Sequence, residues 1–170
     1  MTSLTLPRRS MLALTAAAAA APRLALAGTP KQVMWDDLIP PGVPYAEIVG
    51  EGVIDFENDS WSPEYDANAL KLNEELDGAL IRMPGYIIPM DLGSEGVTSF
   101  ILVPYVGACI HTPPPPPNQL VFVTSQKPWP GDQLWDPVWV TGIMRTQMKT
   151  TELAEIGYAL TAESMEVYVW

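Results

Sequence analysis

Five consecutive prolines, Pro113 to Pro117, set the tightest local limit on what this chain can fold into. Each fixes φ near about −65° and removes a backbone donor, so the run belongs neither to a helix nor to a central strand. It predicts a polyproline II rod of about 15 Å, at ~3.1 Å per residue. Such a rod serves as a stiff strap between two strands, with Asn118 and Gln119 bonding backbone groups where the chain re-enters the fold. It also serves as a rigid ridge for an aromatic groove on a partner. The two uses are compatible.

The flanking sequence has the texture of β structure. Ala79–Met90, Val97–Ile110, Gln119–Ser125, Pro137–Met148 and Ser164–Trp170 are rich in β-branched and aromatic residues and are separated by turn formers. Gly85 and Gly142 lie inside two of these runs, and Pro84, Pro89 and Pro104 interrupt them, as expected where strands bulge or bend at the corners of a small barrel. The reading is a mainly β fold: a five-stranded Greek-key barrel of the oligonucleotide/oligosaccharide-binding (OB) type. A small β-sandwich competes with it, because the residues alone settle neither closure nor strand order.

Two helices complete the expectation. One starts at Pro63, capped by Ser62, with Tyr65, Ala69, Leu72 and Leu76 on one face and Asp77-Gly78 as the stop. A shorter one covers Thr150–Leu160 before the last strand, with Thr151 as cap and Gly157 as stop. Upstream, residues 28–62 read as an extended, acidic, Pro/Gly-rich arm. Its fragment Met34–Pro41 pins it to the domain through Trp35 and Leu38, while Asp36 and Asp37 are either solvated or ligands for a cation.

Residues 1–27 have the form of a cleavable export signal: Arg8-Arg9, an Ala-rich apolar middle and a small-residue end at Ala25-Leu26-Ala27. Adjacent arginines before Ser10, Met11 and Leu12 resemble the twin-arginine signals that export folded proteins, the alternative being a general secretory signal. Cleavage after Ala27 leaves 6 Lys or Arg against 20 Asp or Glu. A surface of that sign repels phosphate backbones, so nucleic acid is excluded as a partner. No later segment reads as membrane-spanning. The expected location is the periplasm, in soluble form.

The chain has one cysteine and one histidine, Cys109 and His111. In a strand, residues two apart point to one face, so thiolate and imidazole can converge on one ion, zinc before copper. The remaining ligands must then come from carboxylates, a second protomer or a partner. In the alternative, Cys109 is a small buried apolar residue and His111 bonds a nearby carbonyl or carboxylate. A thiol catalyst would need a third, orienting group that the sequence does not supply. Trp129, Trp135 and Trp139 cluster in a Pro-rich loop, where they either cover a barrel end or offer an aromatic binding surface.

The segments MWDDLIPP, LDGALIRMPGYIIPM, FILVPYVGACIHTPPPPPNQLVFV, VWVTGIMRT, ELAEIGYALT and EVYVW, in that order, resemble the bacterial exported family known as domain of unknown function 3299. The resemblance implies an OB-like periplasmic barrel, with members sometimes encoded beside ABC-type transport components and metal-uptake proteins. Several relatives resemble lipoproteins; here the lone cysteine at 109 leads us to expect no lipid-anchored amino terminus. The functional expectation is a non-enzymatic accessory protein of transition-metal handling that binds metal through Cys109 and His111. Its alternative is an interaction module docking on an envelope transporter assembly through the proline rod and the aromatic loop.

Overall fold

The computed structural model describes residues 28–55, 60–91, 93–108, 114–131, 134–151 and 153–169. Among them eight strands form: β1 (Lys31–Gln32), β2 (Ile48–Asp55), β3 (Ser60–Tyr65), β4 (Leu80–Pro89), β5 (Val97–Val103), β6 (Val121–Trp129), β7 (Pro137–Thr150) and β8 (Glu155–Val167). Strands β4, β5 and β6 form an antiparallel meander, β8 lies between β6 and β7, and β7 pairs back onto β4 from Leu80↔Ile143 to Tyr86↔Pro137. That last pairing closes a five-stranded barrel, with β6 and β8 parallel and the other barrel neighbours antiparallel. The order is that of a Greek-key barrel of the OB type, so closure decides against the sandwich.

Alternation along the strands produces two apolar layers. Ile81, Met83, Ile87, Phe100, Leu102, Val121, Val123, Val138, Val140 and Leu160 pack together as the barrel core. Residues one step out of phase, Ile88, Ile101 and Phe122, are cross-strand neighbours on the outer face. They join Val103, Ala108, Leu120 and Ile156 in a second buried cluster. Ile101 and Val103 are fully buried. The outer face of β5 and β6, where OB-type barrels commonly hold strands of nucleic acid or sugar, is thus already filled by this protein's own side chains.

The arm behaves as expected around its pin. β1 adds in parallel to the edge of β4, and Val33 N–H continues the ladder to Arg82 O at 3.0 Å. Trp35–Leu38 is a 3₁₀ turn in which Asp37 Oδ2 accepts from Met34 N–H at 2.8 Å, and Leu38 is fully buried. Trp35 packs against the barrel core because Gly85 leaves it room: a Cβ there would lie 2.7 Å from Leu102 Cγ and 2.9 Å from Trp35 Cζ2. Further on, β2 and β3 form a two-stranded antiparallel hairpin separate from the barrel sheet.

Both expected helices are corrected. The residues read as a helix from Pro63 instead complete β3 and then make two 3₁₀ turns, Ala67–Leu70 and Glu74–Leu76. Asp66 and Asn73 each accept from the backbone N–H two residues ahead, and these Asx turns break the helix into separate bends. Ala69 and Leu76 are still buried, so the apolar stripe was sound and only its period was misread. The helix expected over Thr150–Leu160 is a tight turn and the start of β8, which begins at Glu155 rather than Ser164. Thr151 Oγ1 accepts from Ala154 N–H at 3.1 Å, an ST-type turn, and Ile156, Tyr158, Leu160 and Ala162 are buried at a period of two. Strand β5 also stops at Val103, before Pro104, rather than running to Ile110.

Candidate functional site

The strap is tied down at each point where it is described. Ala108 is fully buried beyond the end of β5, and Tyr65 Oη donates to Pro114 O at 2.5 Å. Pro116 has φ −63° and ψ 157°, the polyproline II region, and Pro117–Gln119 then turns into a short 3₁₀ segment. Asn118 Nδ2 donates to Asn68 O and Lys71 O at 2.9 and 3.1 Å, and Gln119 Nε2 donates to Trp35 O at 3.0 Å. The expected role of these two amides, bonding backbone where the chain re-enters the barrel, is what the geometry shows. Asn118 Oδ1 is buried with no donor among the described residues.

Between the strap and its neighbours lies a cleft of about 380 Å³. Pro114, Pro115 and Pro117 form one wall, Ser62 to Leu70 a second, and Leu153, Ala154 and Glu155 of the β7–β8 turn a third. Its surface is mostly apolar, and Leu70 and Leu153 stay more than half exposed. Among the described residues, the charged ones lining it are two carboxylates, Asp66 and Glu155. Asp66 is held by Asn68, whose backbone N–H and side-chain amide it accepts at 2.9 and 3.0 Å. The cleft therefore offers apolar contact beneath an anionic rim, the chemistry of a docking groove. Sequence reasoning missed it, because Tyr65, Ala69 and Leu153 had been placed on helices.

Cys109 and His111, the residues expected to bind metal, lie outside the described residues. Among the described residues no three His, Cys, Asp or Glu side chains come together as a metal site. Asp36 and Asp37 sit on the 3₁₀ turn, and Asp37 caps it. The tryptophans follow the packing reading. Trp129 Nε1 donates to Asp136 Oδ2 at 3.0 Å and its ring packs on the barrel core, while Trp135, in the left-handed region at φ 73°, packs on the outer cluster. Trp139 stacks under the Arg82 guanidinium, 4.1 Å from its ring centroid, and meets Tyr168 edge-on.

Three tyrosines titrate above the usual value, Tyr86 among them through burial and the neighbouring Tyr168. Burial pushes Tyr158 up to about 12, with Asn73 N–H opposing and Glu74 reinforcing the rise. Tyr45 also rises to about 12 through burial, Tyr105 and Asp36. Both hydroxyls therefore stay protonated at neutral pH, so neither is a ready base.

Fold and site together define a five-stranded OB-type barrel whose second and third strands are joined by an anchored proline strap bordering an apolar, anion-rimmed cleft. The model of the family described as Protein of unknown function (DUF3299) matches residues 35–167, and the chain belongs to that family. It is similar to a DUF3299 family protein from Pseudomonas aeruginosa PAO1, known from a crystal structure: identity is 36% and the TM-score 0.68, over 84% of this chain and 99% of that one. No curated protein matches the chain. No helix among the described residues is long and apolar enough to cross a membrane.

Proposed function

We propose that this protein is an exported, non-catalytic interaction module of the cell envelope that docks a partner such as a transporter assembly along the strap cleft. The observation that carries the reading is the cleft itself: rigid prolines, exposed leucines and a tyrosine whose hydroxyl is engaged by the strap, with no converging acid, base and nucleophile among its described lining residues. Prolines and aromatic side chains lose little entropy on binding, which suits a preformed docking surface. The aromatic loop contributes packing, so the strap side of the expected docking surface is the one supported. A photo-crosslinking amino acid at Leu153 is expected to yield a discrete adduct in the envelope that the same group at exposed Glu163 does not. Identical patterns from both positions would sink the reading.

A role in transition-metal handling is a second reading, resting on Cys109 and His111. The described residues on either side of this pair are Ala108, in the outer cluster, and Pro114, on the cleft wall. Periplasmic wild-type protein is then expected to carry zinc, or copper, that a Cys109→Ala, His111→Ala double variant lacks. Equal metal content in the two removes the idea.

A further inference from the structure

The cleft continues into the β2–β3 hairpin, since β3 is both the second strand of that hairpin and a wall of the cleft. A two-stranded hairpin is marginal by itself. This one exposes Ile48, Val49, Val53 and Ile54 on β2, with Val53 the most open at 70%, and Trp61 on β3. Pairing sets Ile48 beside Tyr65 and Ile54 beside Trp61, on the face of β3 that carries Tyr65 to the cleft, whereas Val53 pairs with Ser62 on the other face. Exposed Ile48, Ile54 and Trp61 on that face, with Leu70 and Leu153 at the cleft, are apolar surface of the kind that marks an interaction site.

The charge on this surface has one sign. From Gln32 through Leu70 the sequence holds nine Asp or Glu and no Lys or Arg. Glu47, Glu51 and Glu64 are exposed there, and Asp66 and Glu155 line the cleft. Two cations that border the lining residues are engaged elsewhere: Lys71, next to Leu70, donates from Nζ to Asn68 Oδ1 at 2.8 Å, and Lys149, opposite Ile156 in the sheet, holds Nζ 3.2 Å from the Phe122 ring centroid. An anionic membrane or a nucleic acid would be repelled by such a field, and a second copy of this acidic chain would bring like charge to like.

We propose that hairpin and cleft form one docking surface for a cationic, apolar-anchored segment of a partner protein, in which Lys or Arg alternates with large apolar residues. The proposal rests on the docking reading above and names its partner's chemistry. Apolar side chains of the segment seat against Pro114, Tyr65, Leu70 and Leu153, while its cations face Glu51 and Glu155. Complementary charge then sets the encounter rate and selects against acidic competitors.

Fluorescence anisotropy on residues 28–170 with three labelled octapeptides, alternating Lys-Leu, Ser-Leu and Glu-Leu, tests this. The Lys-Leu peptide is expected to bind, and to weaken about tenfold when salt rises from about 0.05 to about 0.5 M. It is also expected to weaken about fivefold or more in Glu51→Lys, Glu155→Lys and in Ile54→Ser, Leu153→Ser, all exposed positions. Glu95→Lys, Glu163→Lys changes the net charge equally and should leave binding intact. Equal weakening by that remote pair would overturn the proposal. Ser-Leu or Glu-Leu bound as tightly, with the same dependence on Leu153, would overturn the cationic partner while leaving the docking reading standing. No binding of any peptide, together with no adduct from Leu153, would remove both.

Discussion

Gly142→Val is expected to leave almost no folded protein, and Gly142→Ala to lower stability by about 2–3 kcal/mol. A Cβ at this position would lie 2.1 Å from Thr161 O, 2.8 Å from the carbon of that carbonyl and 2.9 Å from Ala162 Cα. All three atoms are backbone, so no side chain can rotate out of the way. The strain is one of approach and not of dihedral, because β7 and β8 shift register between Thr141 and Gly142 and the bulge draws the strands together there. Relief would require β7 to move off β8, yet Gly142 is at the same time paired with Ile81 of β4 on its other side. A displacement at this residue therefore opens both seams of β7, including the one that closes the barrel. With total stabilities of about 5–15 kcal/mol usual for a domain, a branched side chain here exceeds what the fold can absorb. Urea unfolding followed by tryptophan fluorescence checks this, with Gly28→Ala, at a position with open space around it, as the unaffected control. A Gly142→Val midpoint matching the wild type would mean that the barrel does not close at this bulge.

The barrel strands β4 to β7 were legible in the sequence because burial on a closed sheet imposes a period of two, and Ile81, Met83, Phe100, Leu102, Val121 and Val123 keep it. The roles of Asn118 and Gln119 were legible too: polar residues directly after five prolines have few partners other than backbone. The two helices were misread because Tyr65, Ala69, Leu72 and Leu76 satisfy a helical period by coincidence, while Asp66, Asn73 and Thr151 direct turns that only their hydrogen bonds reveal. A better signal was present in Trp61, Pro63 and Tyr65, an alternating trio suited to an edge strand. The cleft was illegible for a different reason. Its walls come from residues near 65, 115 and 154, and only the insertion of β8 between β6 and β7 brings them together.

Tyr158→Phe is expected to lower stability by about 2–4 kcal/mol, although it removes a single oxygen. That oxygen joins three distant stretches of chain. It accepts from Asn73 N–H at 2.6 Å and donates to Leu38 O at 2.5 Å, and the ring it belongs to is fully buried in the barrel core. Phenylalanine fills the same space but leaves a buried donor and a buried acceptor unpaired, each at a cost of about 1–3 kcal/mol with some relaxation between them. The arm loses a tie at Leu38, on the same 3₁₀ turn as the Trp35 carbonyl that anchors Gln119, so the strap should loosen with it. The pH dependence has a definite sign. Burial raises Tyr158 to about 12 in the fold, against about 10 for an unfolded tyrosine. The folded state therefore holds a proton that the unfolded state releases, and the stabilisation is complete below pH of about 10 and lost as pH rises from there through about 12. Urea titrations at neutral pH and in that alkaline window should show wild type losing stability more steeply than Tyr158→Phe, which has no proton to release at this position. Parallel alkaline slopes, or a phenylalanine variant as stable as the parent at neutral pH, would show that the hydroxyl does not bind the arm, the Asn73 turn and β8 into one unit.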